Sequence, residues 1–368
     1  MRINTNMNMY NEFQYIYDKL CDEESKDIFS LRQMYLMTND YRFIGEMIKK
    51  YNHRMYLNSA KIIESFWRET DSYSKIIIYG AGGTLKKYMY YLSELEESLD
   101  KIRFICDENP DKQGGKFMGI PIISPVDMKL DDDTCIVVCS DIYGDKIIKK
   151  YKSKFGSRLL FLPEEHFIQY SEEQYFDEEI IAYDEDEIFI DAGACGLESS
   201  CCLLARCNTV KKIYAFEPDQ ANIEKCEKKK LNRQLDIVKI IPCAAYKENT
   251  TLEFCAVDTG WESHINAENG MSTYAVNAQT IDDTIPLEEN VTFIKMDIEG
   301  AELDALKGAE HTIKRCKPKL AICMYHKPED MMELPLFILK LVPEYKLFVR
   351  HYTNEPGETV LYAIMGDQ

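Results

Sequence analysis

From Lys75 onward the chain alternates short apolar, largely β-branched runs with stretches whose apolar positions recur three to four residues apart. The short runs predict buried strands and the 3.6-residue spacing predicts amphipathic helices. A first series holds KIIIYGAGG from Lys75, IRFICDENP (Ile102–Pro110), PII at 121–123, TCIVVCS (Thr134–Ser140) and LLFLP (Leu159–Pro163), with helices expected over 84–97 and 145–155. A second series holds EIFIDAG (Glu187–Gly193), KIYAFEP (Lys212–Pro218), VKIIPCAA (Val238–Ala245), VTFIKMD (Val291–Asp297), KLAICMYH (Lys319–His326), YKLFVRHY (Tyr345–Tyr352) and TVLYAI (Thr359–Ile364). Strands that alternate with helices argue parallel α/β sheets. The last two strands, joined by the turn-rich Thr353–Glu358, are expected to close a doubly wound seven-stranded sheet as an antiparallel hairpin.

The rest of the chain divides around these series. Residues 1–73 carry no strand signal; RFIGEMIKK (Arg42–Lys50) and AKIIESFW (Ala60–Trp67) read as helices, a cap or a homodimerisation element. A small α/β domain is expected over 74–170, an acidic linker over 171–186 and a larger α/β domain over 187–368. Within the last, 249–290 reads as an insertion whose Gly260–Trp261 turn could close over a site.

Charge narrows the partners. With 63 acidic and 44 basic residues, the net charge of −19 opposes nucleic-acid binding and docking on an anionic membrane. No apolar run approaches the ~18 residues of a membrane span, and the first residues lack the apolar core of a signal peptide, so a cytoplasmic location is expected. The 13 cysteines form no CxxC pair and are expected to be reduced thiols acting as small hydrophobes.

Candidate chemistry sits at strand ends. The run into Asp191-Ala-Gly193-Ala194-Cys-Gly196 places glycines where a backbone turns tightly against a ligand, ahead of a helix N-terminus. Glu217-Pro218 ends the next strand 26 residues after Asp191, where an acid can accept both ribose hydroxyls. An acid before the turn repels a pyrophosphate and suits a cationic amino-acid moiety, which favours S-adenosylmethionine over NAD. Ala244 offers a small surface for a purine; an ordinary buried strand explains it as well. Lys295-Met-Asp297-Ile-Glu299-Gly300-Ala-Glu302 gathers three carboxylates at the fourth strand end, and His326 leaves the fifth at the same edge. Such a group could work as a general base on a hydroxyl, or Asp297, Glu299 and His326 could hold a divalent metal. Capping and an ion pair with Lys295 is the structural alternative, strongest for Glu302.

These residues carry a resemblance. IDAGA (190–194), FEP (216–218), IKMDIEGAE (294–302), LKGA (306–309) and YH (325–326) resemble the FkbM family of S-adenosylmethionine-dependent methyltransferases over about 187–364. The resemblance implies a class I methyltransferase sheet and O-methyl transfer to a hydroxyl of a sugar, glycan or related natural product. Asp191, Gly193, Ala194, Gly196, Glu217, Pro218 and Ala244 would then hold the cofactor, and Asp297, Glu299 and His326 would face the acceptor. Two positions depart from the family pattern: Leu197 stands where a glycine is usual, and Cys195 where a polar residue is common.

The 74–170 domain is similar to small Rossmann-like domains that precede sugar-modifying enzymes. Its Gly80-Ala-Gly82-Gly83 turn and Asp107 lack the third glycine of GxGxxG, since Leu85 stands there. A nucleotide-sugar- or NAD-dependent enzyme working through this turn is one rival reading. A non-catalytic binding protein that keeps the fold is the other.

Overall fold

Buried β-branched runs fix the frame of both halves. The computed structural model describes residues 2–95, 99–140, 143–163, 166–255, 264–265 and 273–366. The lid turn at Gly260–Trp261 lies outside them. The chain forms two units, each drawn from separated segments.

One unit comprises Leu31–Tyr170 and Thr353–Glu355. Its strands are β1 (Lys75–Tyr79), β2 (Ile102–Cys106), β3 (Lys116–Phe117), β4 (Ile120–Ile123), β5 (Thr134–Val138) and β6 (Leu159–Phe161). They order as β3-β4-β2-β1-β5-β6, parallel except for the β3–β4 hairpin. Helix Gly83–Glu94 follows β1 and helix Gly144–Phe155 follows β5. Ile77, Tyr79, Ile136 and Val138 from the strands pack with Ile147 and Phe155. The three residues borrowed from 353–355 are held firmly. Asn354 accepts a hydrogen bond from the Tyr41 hydroxyl at 2.6 Å and donates to Ser59 Oγ at 3.0 Å, and Glu355 pairs with the buried Lys87.

The other unit comprises Met1–Ser30, Ser171–Tyr352 and Pro356–Gln368. Its strands are β7 (Glu187–Ala192), β8 (Val210–Phe216), β9 (Val238–Ile241), β10 (Ala244–Ala245), β11 (Thr250–Cys255), β12 (His264–Ile265), β13 (Thr273–Gln279), β14 (Phe293–Met296), β15 (Lys319–Cys323), β16 (Tyr345–His351) and β17 (Thr359–Met365). Seven of them order as β16-β17-β15-β14-β7-β8-β9. β7 pairs in parallel with β8 and β14, and only β17 runs antiparallel to both its neighbours. From β7 the chain winds outward through β8 and β9, then returns to β14 on the other side. The carboxyl ends of β7 and β14 therefore flank a switch point, the crevice where open α/β sheets bind ligands. The 249–290 region supplies most of a second sheet, ordered β10-β13-β11-β12.

Two boundaries differ from expectation. The N-terminal residues do not form one segment: Ile16, Leu20, Ile28 and Phe29 are buried, Leu20 bridges Leu347, and residues 1–30 belong to the second unit. The acidic 171–186 stretch is no free linker either. Tyr175, Phe176, Ile180 and Ile181 enter the same core cluster as Phe189 and Phe293. The acids raise the mean polarity of the stretch, but these large side chains carry enough apolar area to anchor it.

Candidate active site

β7 delivers the glycine turn to the switch point. Gly193 has φ +82°, and a Cβ there would overlap the carbonyl oxygen of Asp297 at the end of β14. Only glycine lets the turn and the neighbouring strand end approach so closely. The N–H groups of Gly193 and Ala194 both donate to the carbonyl of Phe216 at 3.1 Å. Gly196 has φ +93° and Leu197 φ +66°. The position where the family usually carries glycine thus does take the left-handed conformation here, at a cost of about 1 kcal/mol for leucine. Complete burial of the Leu197 side chain offsets that cost.

Glu217 latches the turn from the end of β8. One carboxylate oxygen accepts from the N–H of Cys195 and the other from the N–H of Asp219, both at 2.9 Å. Burial pushes its carboxyl above the usual range, and the two N–H donors only partly oppose this. Pro218 is half-buried beside it, and Ala244 is buried in β10. Asp191 is fully buried beneath the turn. It accepts from Ser200 Oγ at 2.7 Å and lies 3.2 Å from Lys295 Nζ, which also donates to the carbonyl of Gly193 at 2.8 Å. Burial lowers the lysine's affinity for its proton, but Asp191 and Asp297 overcome that and raise it. Lys295 and Asp191 are therefore a charged strut under the loop, and the charge of Asp191 is already balanced.

The first unit repeats this device. Gly80, at φ +115°, lies against the carbonyl of Cys139 beyond β5, as Gly193 lies against Asp297 beyond β14. Asp107 accepts from the N–H groups of Ala81 and Asn109 at 2.7 and 2.8 Å, as Glu217 does from Cys195 and Asp219. Lys112 Nζ caps the acid, 3.2 Å from Oδ2.

The end of β14 carries the polar cluster. Asp297 accepts from the Tyr175 hydroxyl at 2.7 Å and from the Tyr325 hydroxyl at 3.3 Å. His326 Nε2 stands 3.4 Å from both Asp297 and Glu299, and Nδ1 stands 3.0 Å from Glu302. These are charge contacts, since neither ring nitrogen makes an aligned hydrogen bond. Burial opposes the imidazolium, yet the carboxylates of Glu302, Asp297 and Glu299 prevail and raise His326 to about 9. Burial, helped by the neighbouring carboxylates, raises Glu299 to about 7. For Asp297 burial acts upward, but Lys295, His326 and the Tyr175 hydroxyl hold it below the usual range. Glu299 has φ +55°, an uncommon backbone for a residue with a side chain. It is also the most accessible of the group, at 30% side-chain exposure against 25% for Asp297, 9% for His326 and none for Glu302.

The glycine turn after β7 and the polar cluster after β14 thus adjoin through the Gly193–Asp297 contact, while Glu217 stands at the end of β8 and Ala244 in β10. Four further participants escaped the sequence reading: Tyr175, Gln174, Glu358 and the buried role of Glu302. Glu358 accepts from the Tyr325 hydroxyl at 3.3 Å and from Gln174, and burial with Asp297 raises it to about 7. Its signal in the sequence was only a turn-rich hexapeptide. Glu302 also accepts from the N–H of Ile298 at 2.9 Å and so ties down the turn ahead of its own helix.

A switch point with a glycine turn latched by an acid is where open α/β sheets bind ligands. The comparisons are narrower. Residues 179–352 match the methyltransferase FkbM domain, and the protein is a methyltransferase of S-adenosylmethionine-dependent type. Among solved structures, methyltransferase FkbM from Methylobacillus flagellatus KT is similar at 20% identity and a TM-score of 0.48, over 89% of this chain and 99% of that one. An rRNA methylase from Streptococcus thermophilus is similar at 15% identity and a TM-score of 0.34, over 50% of this chain and 89% of that one. SMU.1697c from Streptococcus mutans, solved in complex with SAH, is similar at 14% identity and a TM-score of 0.32, over 52% and 95%. No curated protein matches the sequence. Among the described residues, no helix is long and apolar enough to cross a membrane.

Proposed function

We propose that the protein transfers a methyl group from S-adenosylmethionine to a hydroxyl of a sugar, glycan or related natural product. The observation that carries this reading is the contact between Gly193 and the Asp297 carbonyl, which sets the cofactor turn against the polar cluster. The turn fits the cofactor. Gly193 and Gly196 hold its backbone at positive φ, and the Glu217 carboxylate keeps lone pairs beyond the two it uses for Cys195 and Asp219. In this reading Gly193, Ala194, Gly196, Glu217, Pro218 and Ala244 line the cofactor, and Asp191 shapes the turn from below through Ser200 and Lys295.

Bound S-adenosylmethionine supplies an electrophilic methyl on a sulfonium. The chain's own work is to orient the acceptor and relieve it of its proton. Asp297, fixed by two tyrosine hydroxyls, is the rigid member that positions the acceptor oxygen. His326 bears positive charge between the carboxylates, and Glu299, the most open of them, receives the proton. Holding the two reactants in one geometry supplies much of the acceleration in such transfers. The test is calorimetry with S-adenosylhomocysteine beside turnover on a panel of sugar acceptors. Asp297→Asn, Glu299→Gln and His326→Ala keep affinity within about threefold of wild type and lose turnover by about a hundredfold or more, the usual share of a positioned acid or base. Full turnover in all three removes the cluster from the chemistry.

A further inference from the structure

We propose that Asp297, Glu302 and His326 bind one divalent cation of borderline character, of the Mn²⁺, Fe²⁺ or Zn²⁺ class, beside the acceptor hydroxyl. The proposal rests on the reading of this cluster as the acceptor site. One ligand atom from each residue lies within 4.8 Å of the other two. Opposed ligands on one ion with bonds of ~2.2 Å stand ~4.4 Å apart, so little contraction is needed. The separation of 3.0 Å between His326 Nδ1 and Glu302 is close to what two such bonds give at a right angle, while Asp297 lies 3.4 Å from the other ring nitrogen.

Unsatisfied polar atoms provide the second observation. Glu302 is completely buried, and its Oε2 has no hydrogen-bond partner. Both ring nitrogens of His326 are also buried without an aligned partner. Buried polar atoms are nearly always satisfied, yet three orphans converge here. Nearby ammonium groups do not fill the gap. Lys295 is committed to Asp191 and the carbonyl of Gly193, and Lys327 to the carbonyl of Gly300. Asp297, Glu299 and Glu302 share one imidazole, with Lys295 also acting on Asp297; a divalent ion that displaced one proton of His326 would take over its charge and give one ring nitrogen and Glu302 a partner. One imidazole with two carboxylates suits Mn²⁺, Fe²⁺ or Zn²⁺ better than an all-oxygen cage built for Ca²⁺. Glu299, 3.4 Å from Nε2, borders the position left for the acceptor.

The experiment uses the full chain stripped with EDTA and titrated with Mn²⁺ alone, the free ion being read by electron paramagnetic resonance. Calorimetry with S-adenosylhomocysteine runs on the same sample. One Mn²⁺ per chain is expected, with affinity at least about tenfold weaker in Glu302→Gln and in His326→Gln. Glu302→Gln also disturbs the bond to Ile298; His326→Gln leaves that bond intact and decides the matter if the first variant fails to fold. A wild-type chain that takes up no Mn²⁺, or a folded His326→Gln that binds it unchanged, overturns the proposal. If S-adenosylhomocysteine binds while Mn²⁺ does not, the metal site alone falls. If S-adenosylhomocysteine does not bind, the methyl-transfer reading falls with it.

Discussion

Glu217 does two jobs that a single alanine substitution would confuse. Its carboxylate satisfies the N–H groups of Cys195 and Asp219 at 2.9 Å each, and in the proposed complex it also meets the ribose. Glu217→Ala leaves two half-buried donors unpaired, at up to about 1–3 kcal/mol each. The unfolding free energy should therefore fall by up to about 2–6 kcal/mol before any ligand is considered. Glu217→Gln keeps one oxygen as an acceptor but turns an NH₂ toward the second N–H, so it should lose about half as much. For affinity the order is the same. Losing charge-assisted bonds worth about 1.5–3 kcal/mol weakens S-adenosylhomocysteine by about tenfold or more in either variant. Urea unfolding followed by tryptophan fluorescence gives the first quantity and calorimetry the second. An alanine variant as stable as wild type would mean that the latch is not what orders the turn. A glutamine variant of unchanged affinity would remove Glu217 from the ribose site.

The remaining predictions follow from packing. Gly193→Ala forces a side chain at φ +82° into the carbonyl of Asp297, so S-adenosylhomocysteine binding and turnover should both collapse in a chain that still melts cooperatively; retained binding would show that the turn can move aside. A chain beginning at Ser171 loses Asp22 and Ser25, which hold Arg350 at 2.7 and 2.9 Å. Stranding one partner of such a largely buried pair costs about 3–5 kcal/mol, so this fragment should neither melt cooperatively nor bind S-adenosylhomocysteine, and binding at wild-type strength would refute the assignment of residues 1–30. NAD should not bind the full chain tightly, because the first turn lacks a third glycine and Lys112 already caps Asp107; copurified NAD in native mass spectrometry would contradict this.

What the sequence made legible were features with a local cause. Buried strands read as unbroken apolar runs, so the strands of both large sheets lie at the predicted runs except the two-residue β3, which no run announced. Gly193 and Glu217 stood out because turns and strand ends have their own residue signatures. Features assembled from distant segments left no such trace. Tyr175 reaches Asp297 from a stretch dominated by acids, and Glu358 arrives from a turn whose residues 353–355 belong to another unit. Residues 1–30 join the second unit across more than three hundred positions through Leu20–Leu347 and Asp22–Arg350, a pairing that no periodicity encodes. Asp191 marks a subtler limit. Its position was legible, but its pairing with Lys295 comes from the strand beside its own, which the linear order does not show.

In the proposed reading, the wall between the methyl-donor turn and the acceptor cluster is one peptide thick. Gly193 and the backbone of Asp297 share it, with no side chain between them. An engineer who wished to widen the acceptor pocket could not cut into that wall without deforming the donor side. Redesign of acceptor choice has to come from the opposite rim, where Tyr325, Gln174 and Glu358 meet. None of those three residues belongs to the glycine turn, so they can be changed while that turn is left intact.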